Sequence, residues 1–218
     1  MWRQGEVAMI GIINYGLCNI LSVKRAFCLY TNDVVIINSA DDIENVDKLV
    51  LPGVGAFKDG MEALNNSGIS GAIYTAVSQG KLILGICLGM QMFFDGSDEG
   101  GKSYGFGFIK GWVEKIPTYS YSGEMQNVPH IGWNVLFPSK DRNFKDTIFE
   151  NVPENGEVYF VHSFEGKTIN KKDILAYTEY GGRKICAAVN NDNIWGCQFH
   201  PEKSGKVGLG VIEKFIKM

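Results

Sequence analysis

The sequence has no long hydrophobic run and no excess of charge of one sign. No apolar stretch reaches the roughly 18 residues that a membrane-spanning helix requires. Lysine and arginine number 21 against 24 aspartates and glutamates, and the net charge of −3 gives no electrostatic reason to expect nucleic acid or an acidic membrane as a partner. The 45% of hydrophobic and 21% of charged residues are typical of an ordinary globular chain that can bury a core.

Paired cysteines are also missing. The five cysteines are an odd number, no two of them are spaced as C-x-x-C, and no signal peptide precedes them. This pattern argues against a zinc site made of cysteine pairs and favours a reducing, cytoplasmic setting. We expect neither a metal nor a cofactor.

The sequence contains no internal repeat, low-complexity tract or linker, so residues 9–218 are predicted to form one domain. The first eight residues, MWRQGEVA, are interpreted as a loose extension ahead of it. Short apolar runs at 9–14, 33–37, 48–51 and 82–86 alternate with segments of helical spacing at 19–30 and 61–79, and antiparallel strands and a last amphipathic helix at 206–218 follow. The alternation predicts an α/β fold: an open, mostly parallel sheet flanked by helices, with antiparallel additions.

The stretch KLILGICLGMQMFF, residues 81–94, carries the first candidate for chemistry. A buried strand leads into Cys87, and residues of helical spacing follow it, so Cys87 is predicted to lie on a sharp strand-to-helix turn between Gly85 and Gly89. Such an elbow presents a nucleophile, and the N-terminus of a helix favours a thiolate. The alternative is a buried cysteine with a purely structural role.

A thiol nucleophile needs a base, and the base needs a group that orients it. His200 follows the last predicted strand, as Cys87 follows an earlier one, so the two side chains are expected at the same edge of the sheet. Glu202 lies two residues further, across the rigid Pro201, within reach of the far imidazole nitrogen. A His-Pro-Glu tripeptide taken alone is more often ordinary loop structure.

Two further segments contain residues that are typical of anion-binding loops or of protein interfaces. The loop PGVG at 52–55 follows a predicted strand, and its glycines allow backbone N–H groups to face an anion or an oxyanion, although a simple turn explains them equally well. No Gly-Lys-Ser/Thr follows this loop directly, which argues against a nucleotide phosphate site. The segment PHIGWN, residues 129–134, combines His130 and Trp133, which suit either buried packing or an interface.

These motifs together resemble class I (triad) glutamine amidotransferases. GICLGMQ at 85–91, PGVG and His-Pro-Glu resemble the three signatures of that family, over nearly the whole chain. The opening INYG…N at 13–19, together with PHIGWN and VYFVHSF, resembles in particular the glutaminase subunits of imidazole glycerol phosphate synthases, which act in histidine biosynthesis. The fold of the family is the open, mostly parallel sheet expected above.

The resemblance implies that the chain hydrolyses glutamine to glutamate and ammonia through a thioester on Cys87, with His200 moving the proton and Glu202 orienting His200. Other implied roles are oxyanion binding by backbone groups and binding of the substrate amino acid. The residues implied in these roles are, for the oxyanion, Gly53, Val54, Gly55 and Leu88, and, for the substrate, Gln91, His162 and Ser163.

The resemblance also implies a protein partner, a (β/α)8-barrel synthase subunit that forms a heterodimer with the chain and receives its ammonia. The residues implied at that contact are Asn14, Tyr15, Asn19, Pro129, His130, Trp133 and Asn134. A flipped oxyanion loop at 54–55 would keep the glutaminase slow until the partner binds its ligand.

Three alternatives remain open at this point. Cys18 stands where the family usually has glycine, which leaves open a related subunit that supplies ammonia for amidino or amino sugars of surface polysaccharides through a homologous barrel. A different elbow-cysteine hydrolase would lack the His-Pro-Glu placement. An inactive relative, acting in binding or regulation, would have lost Cys87, His200 or Glu202, and all three are present.

Overall fold

The computed structural model describes residues 8–140 and 142–218. In chain order its elements are β1 (Ile10–Ile13), α1 (Ile20–Phe27), β2 (Val34–Ile37), β3 (Lys48–Gly53), α2 (Phe57–Asn66), α3 (Ile69–Ser78), β4 (Leu82–Cys87), α4 (Leu88–Gln91), β5 (Phe94–Ser97), β6 (Ser103–Tyr104) and β7 (Ile109–Lys115). They continue with β8 (His130–Val135), β9 (Phe137–Pro138), β10 (Glu157–His162), β11 (Phe164–Thr168), β12 (Ile174–Tyr180), β13 (Arg183–Asn191), β14 (Ile194–Cys197) and α5 (Gly205–Lys217).

An eight-stranded sheet forms the centre of the fold, in the order β2-β1-β3-β4-β14-β13-β12-β9. The five strands from β2 to β14 run parallel, and β13, β12 and β9 extend the sheet antiparallel. A four-stranded sheet, β11-β7-β5-β6, and the pair β10-β8 lie beside it. The predicted α/β class with a mostly parallel sheet and antiparallel additions is confirmed.

Both faces of the large sheet are covered, because the residues of its parallel strands are apolar on both sides. Helices α2 and α3 contribute to the apolar cluster on one face, and α1 and α5 contribute to the cluster on the other. No helix among the described residues is long and apolar enough to cross a bilayer.

Several boundaries differ from those expected. The segment predicted to be one or two helices over 61–79, broken near Ser67-Gly68, is two helices that begin earlier, at Phe57, and meet at Gly68, whose φ of 74° is readily adopted only by glycine. The helix after Cys87 is a single turn, because the chain re-enters the core as β5 at Phe94. The last strand ends at Cys197 instead of Phe199. Of the predicted extension, residues 1–7 lie outside the described residues, and the single domain over 9–218 stays a prediction.

A buried lysine fastens the C-terminal helix to the sheet. Lys48, at the start of β3, is only 2% exposed, and its Nζ donates to the carbonyl oxygens of Phe215 at 3.1 Å and Ile216 at 2.6 Å. These are carbonyls of the last turn of α5, which has no later N–H groups to satisfy them. Burial lowers the pKa of the Lys48 ammonium, and the nearby Asp47 carboxylate raises it.

We expect Lys48→Ala to lower the free energy of unfolding by about 2–3 kcal/mol, because it removes charged hydrogen bonds and leaves two helix carbonyls without donors. Urea unfolding measures this change. Lys206→Ala, at an exposed position in the first turn of α5, is the matched control and should change stability by less than about 0.5 kcal/mol. Equal effects of the two substitutions would contradict the role given to Lys48.

Candidate active site

Cys87 lies at a strained turn between β4 and α4, with φ of 54° and ψ of −110°. A non-glycine residue in such a conformation costs about 1–3 kcal/mol and persists only where its surroundings impose it. The surroundings here are tight, since a Cβ on Gly89 would lie 1.7 Å from the carbonyl oxygen of Leu51 in β3. A Cβ on Gly85 would lie 2.5 Å from the Phe93 ring. Both glycines of the predicted elbow are therefore required by packing.

The elbow opens into a cavity of about 310 Å³, which Cys87 lines together with Val54, Gly55, Gln91 and His200. The Cys87 side chain is 7% exposed, so the sulfur is reached from the cavity and is otherwise enclosed. The cavity has the size of a site for a small molecule.

His200 lines the same cavity as Cys87 and is bound to Glu202. Nδ1 of His200 lies 2.8 Å from Oε1 of Glu202, and both side chains are almost completely buried. Nε2 of His200 has no partner at good hydrogen-bond geometry among the described residues, while the Cys87 sulfur is near enough to act on the pKa of the imidazole. Nε2 is therefore free to exchange a proton with the sulfur or with a substrate.

The pKa of His200 reflects this arrangement. Burial, the largest single effect, lowers the pKa, but the nearby Cys87 sulfur, the hydrogen bond to Glu202 and the charges of the two groups raise it, and the result is about 9. His200 thus holds its proton at neutral pH, where an imidazolium can pair with a thiolate on Cys87.

The loop at 53–55 lies at the same edge of the sheet, but its N–H groups do not all face the cavity. The N–H of Val54 donates to the carbonyl oxygen of Leu17 at 2.9 Å and therefore points away from the sulfur. Gly55 has φ of 101°, and with Val54 and Leu88 it lines the cavity. Gly53 is paired with Cys87 within the sheet. Three of the four residues expected at the oxyanion thus border the cavity, with the Val54 N–H turned outward.

Three residues expected to bind the substrate amino acid, Gln91, His162 and Ser163, also line the cavity. The ring of His162 is occupied within the protein: Nδ1 lies 2.8 Å from the carbonyl oxygen of Phe164, and Nε2 lies 3.1 Å from Nδ1 of His130. Burial lowers the pKa of His162 to about 3, assisted by the charges of His130 and His200. A neutral imidazole bound on both sides can hold the backbone at 162–164 in place but offers no free nitrogen to a ligand.

The residues expected at a partner interface divide into exposed and buried ones. Trp133 is 51% exposed and Asn19 and Pro129 are exposed, whereas Asn14 and Asn134 are half-buried. His130 is completely buried, because its ring stacks between Phe160 and Tyr180 at centroid distances of 5.0 and 4.0 Å. Tyr15 is 8% exposed. In this conformation the side chains of His130 and Tyr15 are therefore packed beneath the expected interface and are not exposed on it.

Two residues at the site were missed in the sequence. Glu99 lines the cavity, and its carboxylate accepts from the N–H of Phe57 at 2.8 Å; burial raises its pKa. Its segment, DGSDEGG, has the composition of a turn and gave no signal. Nε2 of Gln198 lies 3.8 Å from the Cys87 sulfur. Here a signal existed, since alternate residues of an extended chain share a side and His200 is two residues away.

The profile of the family "Glutamine amidotransferase class-I" matches residues 12–218 of the chain. The chain belongs to this family. One relative, the "Imidazole glycerol phosphate synthase subunit HisH 1" of Legionella pneumophila strain Lens, is 44% identical over 213 residues, which cover 97% of this chain and 100% of the relative. Another, the corresponding subunit HisH of Bacillus licheniformis, is 40% identical over 209 residues and 95% of each chain.

Solved structures are similar at the level of the fold. A crystal structure of a glutamine amidotransferase superposes with a TM-score of 0.72 at 14% identity, covering 96% of this chain and 100% of that one. The structure of PurLQS from Thermotoga maritima superposes with a TM-score of 0.70 at 20% identity, covering 97% and 99%.

The titration of the histidines tests the electrostatics of the site. We expect His200 to titrate near pH 9 and His162 to stay neutral between pH 5 and 8. Cys87→Ala and Glu202→Gln should each lower the midpoint of His200, because each removes an interaction that raises its pKa. Long-range ¹H–¹⁵N spectra of the imidazoles measure this, with His200→Asn for assignment. A midpoint of His200 below about 6.5, the value of a free histidine, would contradict the triad as described.

Proposed function

We propose that the chain hydrolyses L-glutamine to glutamate and ammonia, as the glutaminase subunit of an imidazole glycerol phosphate synthase in histidine biosynthesis. The observation that carries the chemistry is that Cys87 and His200 line one cavity and that Glu202 is bound to His200 Nδ1. The pathway is supported by the relatives named as synthase subunits, which favour it over the amino-sugar pathway that Cys18 left open.

In the first half of the reaction, the Cys87 sulfur attacks the side-chain amide carbon of glutamine. His200 delivers its proton to the departing nitrogen, and ammonia leaves a γ-glutamyl thioester behind. In the second half, His200 takes a proton from water, whose oxygen bonds to the thioester carbon as the carbon–sulfur bond breaks. Glu202 holds Nδ1 of His200 throughout, so that Nε2 faces the reacting atoms.

The ends of the substrate need groups of complementary charge. The Glu99 carboxylate lies at the cavity and is the acidic partner for the α-ammonium group of glutamine. In this proposal Ser163 and the backbone that His162 holds bind the α-carboxylate, and Gln91 contacts the substrate; all three residues line the cavity. The sequence implied these last three positions, and Glu99 adds a charge that they lack.

The proposed partner is a (β/α)8-barrel synthase subunit that uses the ammonia, docked on the surface with Asn19, Pro129, Trp133 and Asn134. An exposed tryptophan rimmed by polar groups suits an interface anchor. The five free cysteines, Cys18, Cys28, Cys87, Cys186 and Cys197, support a reducing, cytoplasmic setting.

Contact with this partner is proposed to control the oxyanion site. The Val54 N–H is held by the Leu17 carbonyl, and Leu17 belongs to the 14–19 loop, which carries part of the proposed interface. Movement of that loop would release the Val54 peptide to turn its N–H toward the cavity, with Gly55 absorbing the change in backbone angles. The isolated chain would then lack one oxyanion donor.

The nucleophile is tested by Cys87→Ala. We expect glutamine hydrolysis in the complex with the barrel partner to fall by about 10³-fold or more, because no thioester can form. A coupled assay for glutamate measures the rate. Cys28→Ala, which removes an exposed cysteine away from the cavity, should keep the wild-type rate. Normal partner-stimulated release of ammonia by the Cys87 variant would overturn the proposed function.

The oxyanion control is tested by the activity of the unpaired chain. Loss of one oxyanion donor costs about 10²–10³ in rate. We therefore expect the isolated wild-type chain to hydrolyse glutamine at least about 10²-fold more slowly than the complex with the barrel partner and its ligand. A basal rate equal to the stimulated rate would contradict the control by Val54, and would leave the assignment of Cys87 intact.

A further inference from the structure

Gln198 is a buried side chain in contact with the nucleophile, and the mechanism above gives it no role. It follows β14 directly and is 0% exposed. Its neighbours Cys197 and Phe199 belong to the apolar core on one side of the chain, so the side chains of Gln198 and His200 are both directed to the other side, toward Cys87. An amide is costly to bury in such a place unless it makes hydrogen bonds.

The orientation of the Gln198 amide is fixed by its surroundings. Nε2 of Gln91 donates to the carbonyl oxygen of Phe164 at 2.9 Å, and a carbonyl can only accept. The same Nε2 donates its other hydrogen to Oε1 of Gln198 at 3.1 Å. With its oxygen held by Gln91, Gln198 presents its N–H group to the Cys87 sulfur at 3.8 Å.

The other groups around the Cys87 sulfur differ in whether they favour a thiol or a thiolate. The carbonyl oxygen of Val161 lies 4.0 Å from Sγ and can accept from a thiol but repels a thiolate. Among the described residues, His200, whose charge favours a thiolate, and the phenol of Tyr15, whose pKa burial and the charges of Cys18 and Cys87 raise, lie near the sulfur. Glu99 and His162 line the same cavity; burial raises the pKa of Glu99 and lowers that of His162. Gln198 is thus the neutral donor directed at the sulfur, opposite an acceptor.

We propose that Gln198 is a thiolate-stabilising residue: its N–H donates to the Cys87 sulfur and stabilises negative charge there at two steps of the reaction. The first is the thiolate that attacks the amide carbon. The second is hydrolysis of the thioester, in which the water oxygen bonds to carbon, its proton goes to His200, and the electron pair of the breaking carbon–sulfur bond returns to sulfur. The proposal rests on the glutaminase function of Cys87.

The test compares Gln198→Met, which keeps the length of the side chain and removes the donor, with Gln79→Met at the exposed end of α3. The rate of Cys87 alkylation by iodoacetamide is followed against pH by mass spectrometry of the Cys87 peptide. A hydrogen bond to a charged group is worth about 10–100-fold in equilibrium. We expect the alkylation profile of Gln198→Met to move to higher pH by about 1–2 units, and that of Gln79→Met to stay in place.

Glutamine hydrolysis in the complex gives the second readout. We expect kcat of Gln198→Met to fall about 10–100-fold with KM changed less than about threefold, because the charge is on sulfur and the substrate contacts are kept. A wild-type alkylation profile in a folded Gln198→Met chain would overturn the proposal, even if kcat fell, since a merely structural role would produce that pattern.

A second variant tests the proposal in case Gln198→Met does not fold. Gln198→Glu keeps the shape of the side chain and replaces the donor by an acceptor, so its alkylation profile should move further in the same direction than that of Gln198→Met; movement in the opposite direction would overturn the proposal. Alkylation needs neither glutamine nor the partner. An unshifted profile with normal wild-type hydrolysis therefore rejects the role of Gln198 alone, whereas absent wild-type hydrolysis rejects the glutaminase function.

Discussion

Parallel pairing of β4 between β3 and β14 is the constraint on which the site depends. Parallel strands end at the same edge of a sheet, so Cys87 at the end of β4, the 53–55 loop after β3 and His200 after β14 come together although they are far apart in the chain. The fit is close, since a Cβ on Gly196 of β14 would lie 2.7 Å from Met90 in the turn after Cys87. Small residues on the neighbouring strands therefore leave the space that the strained turn at Cys87 needs.

The three histidines of the chain differ in pKa, because each is buried among different partners. Burial lowers the pKa of His162 and of His130, whose rings are in contact with each other. Burial also lowers the pKa of His200, but Cys87 and Glu202 raise it by more, so the net shift is upward. The pKa of the same residue type is therefore shifted down in one place and up in another, according to its partners.

The surroundings of the Cys87 sulfur and those of the 53–55 loop differ. Gln198 donates to the sulfur at 3.8 Å, and His200, which is bound to Glu202, lines the same cavity as Cys87. At the 53–55 loop, the N–H of Val54 donates to the carbonyl oxygen of Leu17 and is turned away from the cavity. This bond joins two loops at the sheet edge, where movement disturbs little of the core.

Local sequence patterns determined the fold class, the elbow at Cys87 and the pairing of His200 with Glu202, because strand periodicity, flanking glycines and a spacing of two residues across proline are properties of neighbours in the chain. The same patterns did not determine that His130 is buried while Trp133 is exposed, that both nitrogens of His162 are occupied, or that the helix after Cys87 is one turn long. Nor did they bring Glu99 to the cavity or direct the N–H of Val54 away from it. Those features depend on which strand lies beside which and on what each side chain then finds within hydrogen-bond reach, and only the tertiary structure decides that.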